Sequence, residues 1–278
     1  MPRTTAEDGS VKVHGQRLHF SIRPGLGPPL LLINGFVAGM GVWDHLRAGL
    51  EMESVAFDLP GSGRSRPSLV PYPMHLTARL VTRLLDQLGF ETVDVLGVSL
   101  GGGIAQQLAL LAPGRVRRLV LAATNFGIGS IPGNVAGLLA LFTPQTLASP
   151  WIARLQSRAY GGQARHDPGS LSAFEHSAFP RPPSLRSRLW QLATALSWCS
   201  LPTLSLLRQP TLVLAGDDDR IVPVLNARII AMLIPRARLH VLRDAGHLFV
   251  FERAEETAEL VNRFLLSPEA GASLGPLA

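Results

Sequence analysis

The stretch from Val93 to Gly103, Val-Asp-Val-Leu-Gly-Val-Ser-Leu-Gly-Gly-Gly, constrains the fold of this chain most strongly. Its pattern predicts a buried strand, a tight turn at Ser99 and a helix that begins at Leu100. Gly97 and Gly101 lie two residues to either side of the serine, where small residues let the backbone bend sharply and expose the hydroxyl. This arrangement, a nucleophile elbow, indicates a serine that attacks a carbonyl.

A Gly-x-Ser-x-Gly run also occurs by chance in glycine-rich chains, where the serine only caps a helix. Here the run has the surroundings that an elbow requires. Strand-favouring residues precede it, and the pattern from Ile104 to Leu111 predicts a helix that Pro113 ends. We therefore interpret Ser99 as a nucleophile. The N–H of Leu100, at the start of the helix, is then expected to stabilise the oxyanion on the attacked carbonyl.

Strand and helix patterns alternate on both sides of this unit and predict an α/β protein with a mostly parallel, doubly wound sheet. The remaining predicted strands are Val11–Val13, Leu18–Ile22, Leu30–Ile33, Ser54–Phe57, Val116–Ala123, Thr211–Ala215 and Leu239–Leu242. The remaining predicted helices of this core are Trp43–Leu50, Leu76–Leu88, Val224–Met232 and Ala254–Leu266.

The alternation stops between Phe126 and Gln209, a stretch that contains three of the four tryptophans and many prolines. We predict a helical cap inserted over residues 126–209, between a first part of the core at 1–125 and a second part at 210–266. A flexible tail is expected at 267–278. Within the cap, helices are predicted over Leu185–Leu196 and around Val135–Phe142 and Pro150–Arg158.

A serine hydroxyl is a weak nucleophile near neutral pH, so this chemistry needs a histidine base and a carboxylate that orients the base. In doubly wound sheets such groups lie on loops after the carboxyl ends of strands. Two late loops qualify, because Gly216–Arg220 contains three aspartates and Asp244–His247 ends in a histidine. Of the eight histidines, only His247 follows a late strand through a glycine turn. We therefore expect His247 to be the base.

Composition narrows the function further. The formal charge of +6 comes from 25 arginines and Lys12 against 20 acids, but the arginines are scattered, so no nucleic-acid partner is expected. The histidines lack metal-ligand spacing and Cys199 is the only cysteine, so we expect no metal, cofactor or disulfide. No apolar run reaches the ~18 residues of a membrane span and no signal peptide is evident, which predicts a cytoplasmic protein.

Five motifs together resemble those of an α/β-hydrolase, and the likeness extends over residues 18–266. They are Leu31-Leu-Ile-Asn-Gly-Phe36, Asp58-Leu-Pro-Gly-Ser-Gly63, Gly97-Val-Ser-Leu-Gly101, Gly216-Asp-Asp-Asp219 and Gly246-His247. The order serine, aspartate, histidine is also the order of this superfamily.

A closer resemblance is to the intracellular medium-chain-length polyhydroxyalkanoate depolymerases. It rests on Asn34-Gly35, where most of the superfamily has His-Gly, and on Gly102–Gln107, Tyr160-Gly-Gly162, Gln209–Asp219 and His247-Leu-Phe249. The resemblance implies an aliphatic polyester of 3-hydroxy acids as substrate, stored as cytoplasmic granules whose surface the enzyme contacts.

The acid is one of three neighbours, Asp217, Asp218 and Asp219. We select Asp219, because a glycine three residues before it and a proline four residues after it match the acid loop of this fold. The other two aspartates are expected to bond backbone groups in the turn. The second oxyanion donor is expected to be the N–H of Phe36, or alternatively that of Val37.

Three tryptophans of the cap, Trp151, Trp190 and Trp198, are candidates for an apolar substrate site. The alternative is that they pack the core of the cap itself. The leading hypothesis is a serine hydrolase of aliphatic polyesters or other esters. Alternatives are a carboxylesterase, a perhydrolase or a carbon–carbon bond hydrolase acting on small molecules, or a non-catalytic binding protein on the same fold. The sequence does not indicate an oligomeric state.

Overall fold

A computed structural model of the chain describes residues 5–135 and 150–267. An eight-stranded sheet lies at the centre, in the order β1-β2-β4-β3-β5-β6-β7-β8. The strands are β1 (Glu7–Val13), β2 (Gln16–Arg23), β3 (Leu26–Ile33), β4 (Met52–Phe57), β5 (Val93–Val98), β6 (Val116–Ala122), β7 (Thr211–Gly216) and β8 (Ala237–Leu242). β1 and β2 are antiparallel to their neighbours, and the other pairs are parallel. The predicted α/β class with a mostly parallel sheet is confirmed.

Helices cover both faces of this sheet. The α-helices that the structure describes are α1 (Asp44–Gly49), α2 (Met74–Leu88), α3 (Leu100–Leu111), α4 (Pro150–Tyr160), α5 (Gly162–His166), α6 (Pro168–Ala178), α7 (Leu185–Leu196), α8 (Val224–Leu233), α9 (Phe249–Glu252) and α10 (Ala254–Leu266). Short 3₁₀ helices form at Met40–Trp43, Pro113–Arg115 and Leu201–Leu206. None of the helices within the described ranges is both long and apolar enough to cross a membrane.

The inner strands are mainly apolar because each face of the sheet is buried under helices. In β3, Leu31 and Ile33 join a core with α2, α3 and α8, while Leu30 and Leu32 join a second core with α1 and α10. This alternation follows from the two-residue period of a strand. The continuous run Leu30–Ile33 is therefore typical of a strand covered on both sides.

The described residues between β6 and β7 include four α-helices and the 3₁₀ turn at Leu201–Leu206, and residues 150–206 are called the lid below. The helix predicted over Leu185–Leu196 is present, and the one predicted from Pro150 extends to Tyr160. The helix predicted over 135–142 is described only at residue 135, and its other residues lie outside the described ranges. The tail is described only at residue 267. The division into core and cap at residues 125 and 209 stays a prediction.

Three of the four leucines of α7 point away from the core. Leu185, Leu189 and Leu196 are exposed, whereas the polar residues Gln191 and Thr194 are buried. The physical reason is that these polar side chains bond to loops of the core, Thr194 Oγ1 donating to the carbonyl of Tyr72 at 2.6 Å. α7 is therefore held to the core by its polar face.

Candidate active site

Ser99 lies at a sharp turn between β5 and α3. Its backbone has φ 54° and ψ −118°, a conformation that residues other than glycine rarely adopt. The N–H of Ser99 donates to the carbonyl of Ala122 at 2.9 Å, and Thr124 Oγ1 donates to the carbonyl of Ser99 at 2.7 Å. These bonds from β6 and the residues after it hold the strained turn. Such strain is common at functional sites.

The two glycines of the elbow are required by close backbone packing. A Cβ atom on Gly97 would lie 2.3 Å from the carbonyl oxygen of Gly101, and one on Gly101 would lie 2.1 Å from that of Ile33. Larger residues would push α3 away from the ends of β3 and β5. The glycine spacing recognised in the sequence is therefore a packing requirement that lets the helix begin directly behind Ser99.

Ser99, His247 and Asp219 form one chain of hydrogen bonds. Ser99 Oγ lies 3.2 Å from His247 Nε2, and His247 Nδ1 lies 2.8 Å from Asp219 Oδ2. With its proton on Nδ1, His247 donates to the carboxylate and accepts from the serine hydroxyl. Asp219 and His247 are buried, and Ser99 is partly exposed at the cleft. The arrangement is suited to removing the serine proton during attack.

The loop after β7 distinguishes the three aspartates. Asp219 Oδ1 accepts the N–H groups of Ile221 and Val222 at 2.9 and 2.8 Å, which directs Oδ2 toward the histidine. Asp218 accepts the N–H of Gly162 at 3.0 Å, so its backbone partner lies in the lid rather than in its own turn. Asp217 is exposed. Only Asp219 reaches the histidine.

The lid contacts the histidine loop through its backbone. The N–H of His247 donates to the carbonyl of Tyr160 at 2.8 Å. Gly161, with φ 74°, approaches Asp218 so closely that a Cβ atom would lie 1.8 Å from its carbonyl oxygen. The Tyr160-Gly-Gly162 motif therefore joins the end of α4 to the loops that hold the base and the acid.

The loop after β3 lies beside Ser99, where the second oxyanion donor was predicted. Phe36 borders the same cavities as Ser99, and Leu100 follows the serine at the first position of α3, where a helix has no acceptor for the N–H. The N–H of Val37 is already donated to Gln191 Oε1 of the lid at 2.7 Å. The N–H groups of Phe36 and Leu100 stay the predicted pair of oxyanion donors.

Asn34 explains the shape of that loop. Its side chain is fully buried, donates to the carbonyls of Ala38 and Phe57 at 3.0 and 3.2 Å, and accepts from the Trp43 indole. Asp58 anchors the loop after β4 in the same way, accepting the N–H groups of Met40 and Arg64 at 2.8 Å each. Burial raises the pKa of Asp58, and the two backbone donors oppose that rise. Both motifs are therefore structural supports for the site.

Gln191 connects the lid to the loop after β3, and the effect of this connection can be measured. Its amide also donates to Ser62 Oγ at 2.9 Å and to the carbonyl of Pro60 at 3.2 Å. Gln191→Met leaves the buried N–H of Val37 without its acceptor, which we expect to lower the free energy of unfolding by about 1–3 kcal/mol. Because Phe36 precedes Val37, kcat should also fall about ten- to a hundredfold with KM little changed. Denaturant titration and steady-state kinetics measure the two effects.

Thr194→Val is the matched control for this variant. It removes a hydrogen bond between the same helix and the carbonyl of Tyr72 but none to the loop after β3. It should lower stability and leave kcat close to that of the parent protein. An equal loss of kcat in both variants would mean that Gln191 has no particular role in positioning the oxyanion loop.

Two cavities meet at Ser99 and Phe36. The first, of about 80 Å³, extends toward His247 and the lid, and its walls are mainly apolar. Aromatic residues in this wall are Trp43, Tyr160, Phe174, Phe179 and Phe251. Glu175 and Arg188 add charged groups, and burial lowers the pKa of Arg188 and raises that of Tyr160. The first cavity is therefore mainly apolar but also contains charged groups.

The second cavity, of about 280 Å³, lies between the elbow and the lid helix α7. It is almost wholly apolar, and its lining includes Met74, Ile128, Leu192, Trp198 and Val222. An apolar space that opens directly at Ser99 is suited to the hydrocarbon part of a substrate.

The three tryptophans singled out from the sequence have different positions. Trp198 lines the second cavity with Ser99, and its Nε1 donates to Gln107 Oε1 at 3.0 Å. Trp190 lines a separate hollow with Leu100 and donates to the carbonyl of Ser68 at 3.2 Å. The side chain of Trp151 lies outside the described residues. Sequence reasoning missed Trp43 and Phe174 as wall residues, because an isolated aromatic carries no signal of what it lines.

Comparisons with known proteins agree with this fold. A family model described as alpha/beta hydrolase fold matches residues 28–254. A poly(3-hydroxyalkanoate) depolymerase of Ectopseudomonas oleovorans is 38% identical over 272 residues, covering 96% of this chain and 95% of the relative. A 2-hydroxymuconate semialdehyde hydrolase of Pseudomonas sp. (strain CF600) is 32% identical, covering 89% of this chain and 90% of the relative.

A solved structure of a hydrolase from Pseudomonas aeruginosa PA01 has the same overall arrangement. Its TM-score against this chain is 0.78 at 26% identity, with 94% of this chain and 98% of that chain covered. The similarity therefore extends over nearly the whole of both chains.

Proposed function

The chain belongs to the alpha/beta hydrolase fold family, and we propose that it is a serine hydrolase that cleaves aliphatic polyesters or related esters through an acyl-enzyme. The observation that carries the proposal is the hydrogen-bond chain from Asp219 through His247 to Ser99, at an elbow that opens onto apolar cavities. The relative with 38% identity supports the ester class, because its name is that of a polyester depolymerase.

The mechanism follows from the positions of these groups. Ser99 Oγ attacks the ester carbonyl while His247 Nε2 takes the serine proton, and Asp219 stabilises the imidazolium that forms. The negative charge moves to the carbonyl oxygen, where the N–H groups of Leu100 and Phe36 are proposed to stabilise it. His247 then gives its proton to the departing alkoxide as the carbon–oxygen bond breaks. Water, deprotonated by His247, releases the acid and restores the serine.

The cavities support a substrate that carries hydrocarbon groups. The second cavity offers an apolar site for an acyl or side chain, with Trp198 and Leu192 in its wall. A polyester of 3-hydroxy acids presents a carbonyl with hydrocarbon side chains nearby, so cleavage would release hydroxy acids or short oligomers. We propose the surface of a polyester granule as the natural location of such a substrate.

A second candidate function is hydrolysis of a carbon–carbon bond in a small molecule. The 32% identical relative is named a 2-hydroxymuconate semialdehyde hydrolase, and the charged groups Glu175 and Arg188 in the first cavity suit a substrate with a polar end. The same three residues would serve as nucleophile, base and acid. Activity on esters and on a 2-hydroxy-6-oxo-dienoate, compared side by side, distinguishes the two functions.

Esters of graded length provide the test of substrate class. Each buried methylene contributes about 0.8 kcal/mol, so kcat/KM should rise about fourfold per added methylene until the cavity is full. This rise is measured with nitrophenyl esters from acetate to decanoate. Turnover of short-chain and medium-chain polyesters then shows whether the same preference holds for a polymer. We expect the maximum at a medium chain length and turnover of the medium-chain polyester.

Ser99→Ala is the control for background hydrolysis in these assays. A maximum at acetate together with no turnover of medium-chain polyester would contradict the depolymerase assignment and leave a simple carboxylesterase. Absence of turnover on any ester, with the dienoate cleaved, would favour the carbon–carbon hydrolase. Absence of any turnover would favour the non-catalytic binding protein.

A further inference from the structure

A groove on the surface, away from Ser99, is lined by basic side chains from three separate parts of the chain. The side chains of Lys12, Arg17, Arg64, Arg66 and Arg181, with His19, surround a volume of about 680 Å³. We call this the cationic groove. Its remaining lining is Gly15, Gln16, Pro67 and Leu69, so no carboxylate among the described residues borders it. None of its residues lines either cavity at Ser99.

Within the described residues the five lysine and arginine side chains lack a direct ionic partner, although the buried carboxylate of Asp58 interacts electrostatically with Arg64. By contrast, Arg115 is paired with Asp86, and Arg117 with Asp94. Cations gathered around one concavity repel each other and raise the local potential. An anionic partner would relieve that repulsion.

The groove is a built feature of the fold, because hydrogen bonds fix the segments that form it. The β1–β2 hairpin is tied to the loop after β4 by Gln16 Nε2, which donates to the carbonyl of Arg66 at 2.6 Å. The N–H of His19 donates to Ser65 Oγ at 3.0 Å. Arg181, from the turn between α6 and α7, is the lid residue that lines the groove. The arginines that are scattered in the sequence are thus brought together by tertiary structure.

Apolar side chains protrude beside these charges. Leu69, which lines the groove, is 87% exposed, and the adjacent Val70 is 64% exposed. The exposed leucines of α7 begin at Leu185, four residues after Arg181. Basic residues next to protruding apolar side chains are typical of surfaces that bind anionic lipid interfaces.

We propose that the cationic groove and its apolar rim dock the protein onto a surface of anionic phospholipid headgroups. The number of charges favours a surface over one free ion, because a single phosphate carries at most about two negative charges against five cations. A surface presents several phosphates at once and also accepts Leu69 and Val70. The docking function goes beyond the proposed hydrolysis, since it uses none of the residues of the cleft.

Co-sedimentation with vesicles tests the proposal. The protein should bind vesicles of phosphatidylcholine mixed with phosphatidylglycerol, and should bind vesicles of phosphatidylcholine alone much more weakly. Each basic residue near an anionic surface strengthens binding about fivefold, so Arg17→Gln combined with Arg66→Gln should weaken it about thirtyfold. Leu69→Ser should weaken vesicle binding further, and raised salt should reduce it.

Arg208→Gln combined with Arg228→Gln is the matched control, because it removes the same charge from exposed positions outside the groove. It should reduce binding far less than the groove variant. Both double variants should retain the activity of the parent protein on a soluble ester, which also shows that they fold.

Three outcomes would overturn the proposal. Equal binding of the groove variant and its control would mean that only net charge matters. Saturable binding of inorganic phosphate or pyrophosphate, with no preference for anionic vesicles, would make the groove a site for a free ion. Tighter binding to duplex DNA than to anionic vesicles, lost in the groove variant, would assign the groove to nucleic acid instead.

Discussion

Replacing Ser99 by alanine is expected to lower kcat for ester hydrolysis by about 10³- to 10⁶-fold while the fold is retained. The loss is large because the serine and His247 act as one unit, and no other hydroxyl is needed in the mechanism. The fold should persist because, within the described residues, the Ser99 hydroxyl bonds only to His247 Nε2, whereas the turn depends on backbone contacts of Gly97 and Gly101. Steady-state kinetics and thermal unfolding measure the two expectations.

Ser172→Ala is a suitable control, because Ser172 is an exposed serine in the lid helix α6. It should match the parent protein in both kcat and melting temperature. His247→Ala should reduce kcat about as much as Ser99→Ala, and the double variant should be little worse than either single one. Substantial turnover by Ser99→Ala would contradict the assigned nucleophile.

Replacing Asp219 by asparagine should also be severely damaging, with kcat lowered by about 10⁴-fold. The asparagine oxygen can still accept the N–H groups of Ile221 and Val222, so the loop should keep its shape. What is lost is the negative charge that holds the proton on His247 Nδ1 and stabilises the imidazolium. The effect should therefore fall on kcat rather than on stability.

Asp217→Asn is the control for this change, because the exposed Asp217 lies two residues away and does not reach the histidine. Its kcat should stay within a few-fold of the parent value. Asp218→Asn tests the neighbouring alternative, since Asp218 holds the N–H of Gly162 and pairs with Arg220. If Asp218→Asn were the crippling change and Asp219→Asn were mild, the acid would be assigned one residue too late.

Much of the fold could be predicted from the sequence because its signals are local. The helix at Ala254–Leu266 and the strand from Val93 are marked by apolar periodicity and by glycine or proline at their ends. The extra residues of β1, from Glu7 to Ser10, could not be predicted. They belong to an antiparallel edge strand whose side chains are largely exposed, so no apolar pattern marks them.

Ser99 and the loops that contain Asp219 and His247 could be predicted, because each is marked by a particular residue type at a particular spacing. The roles of these residues stay predictions until activity is measured. Gln191 could not be identified, because its contact with Val37 joins positions 154 residues apart. The cationic groove is a similar case, since Lys12, Arg66 and Arg181 come together only through the hairpin, the loop after β4 and the lid.

The central claim, that Ser99 is a covalent nucleophile, is tested most directly by labelling the purified protein with a fluorophosphonate and locating the adduct by peptide mass spectrometry. We predict a single adduct on Ser99, formed in step with loss of esterase activity and absent from Ser99→Ala and His247→Ala. Labelling of another residue in step with inactivation, or full inactivation with Ser99 unmodified, would contradict the account.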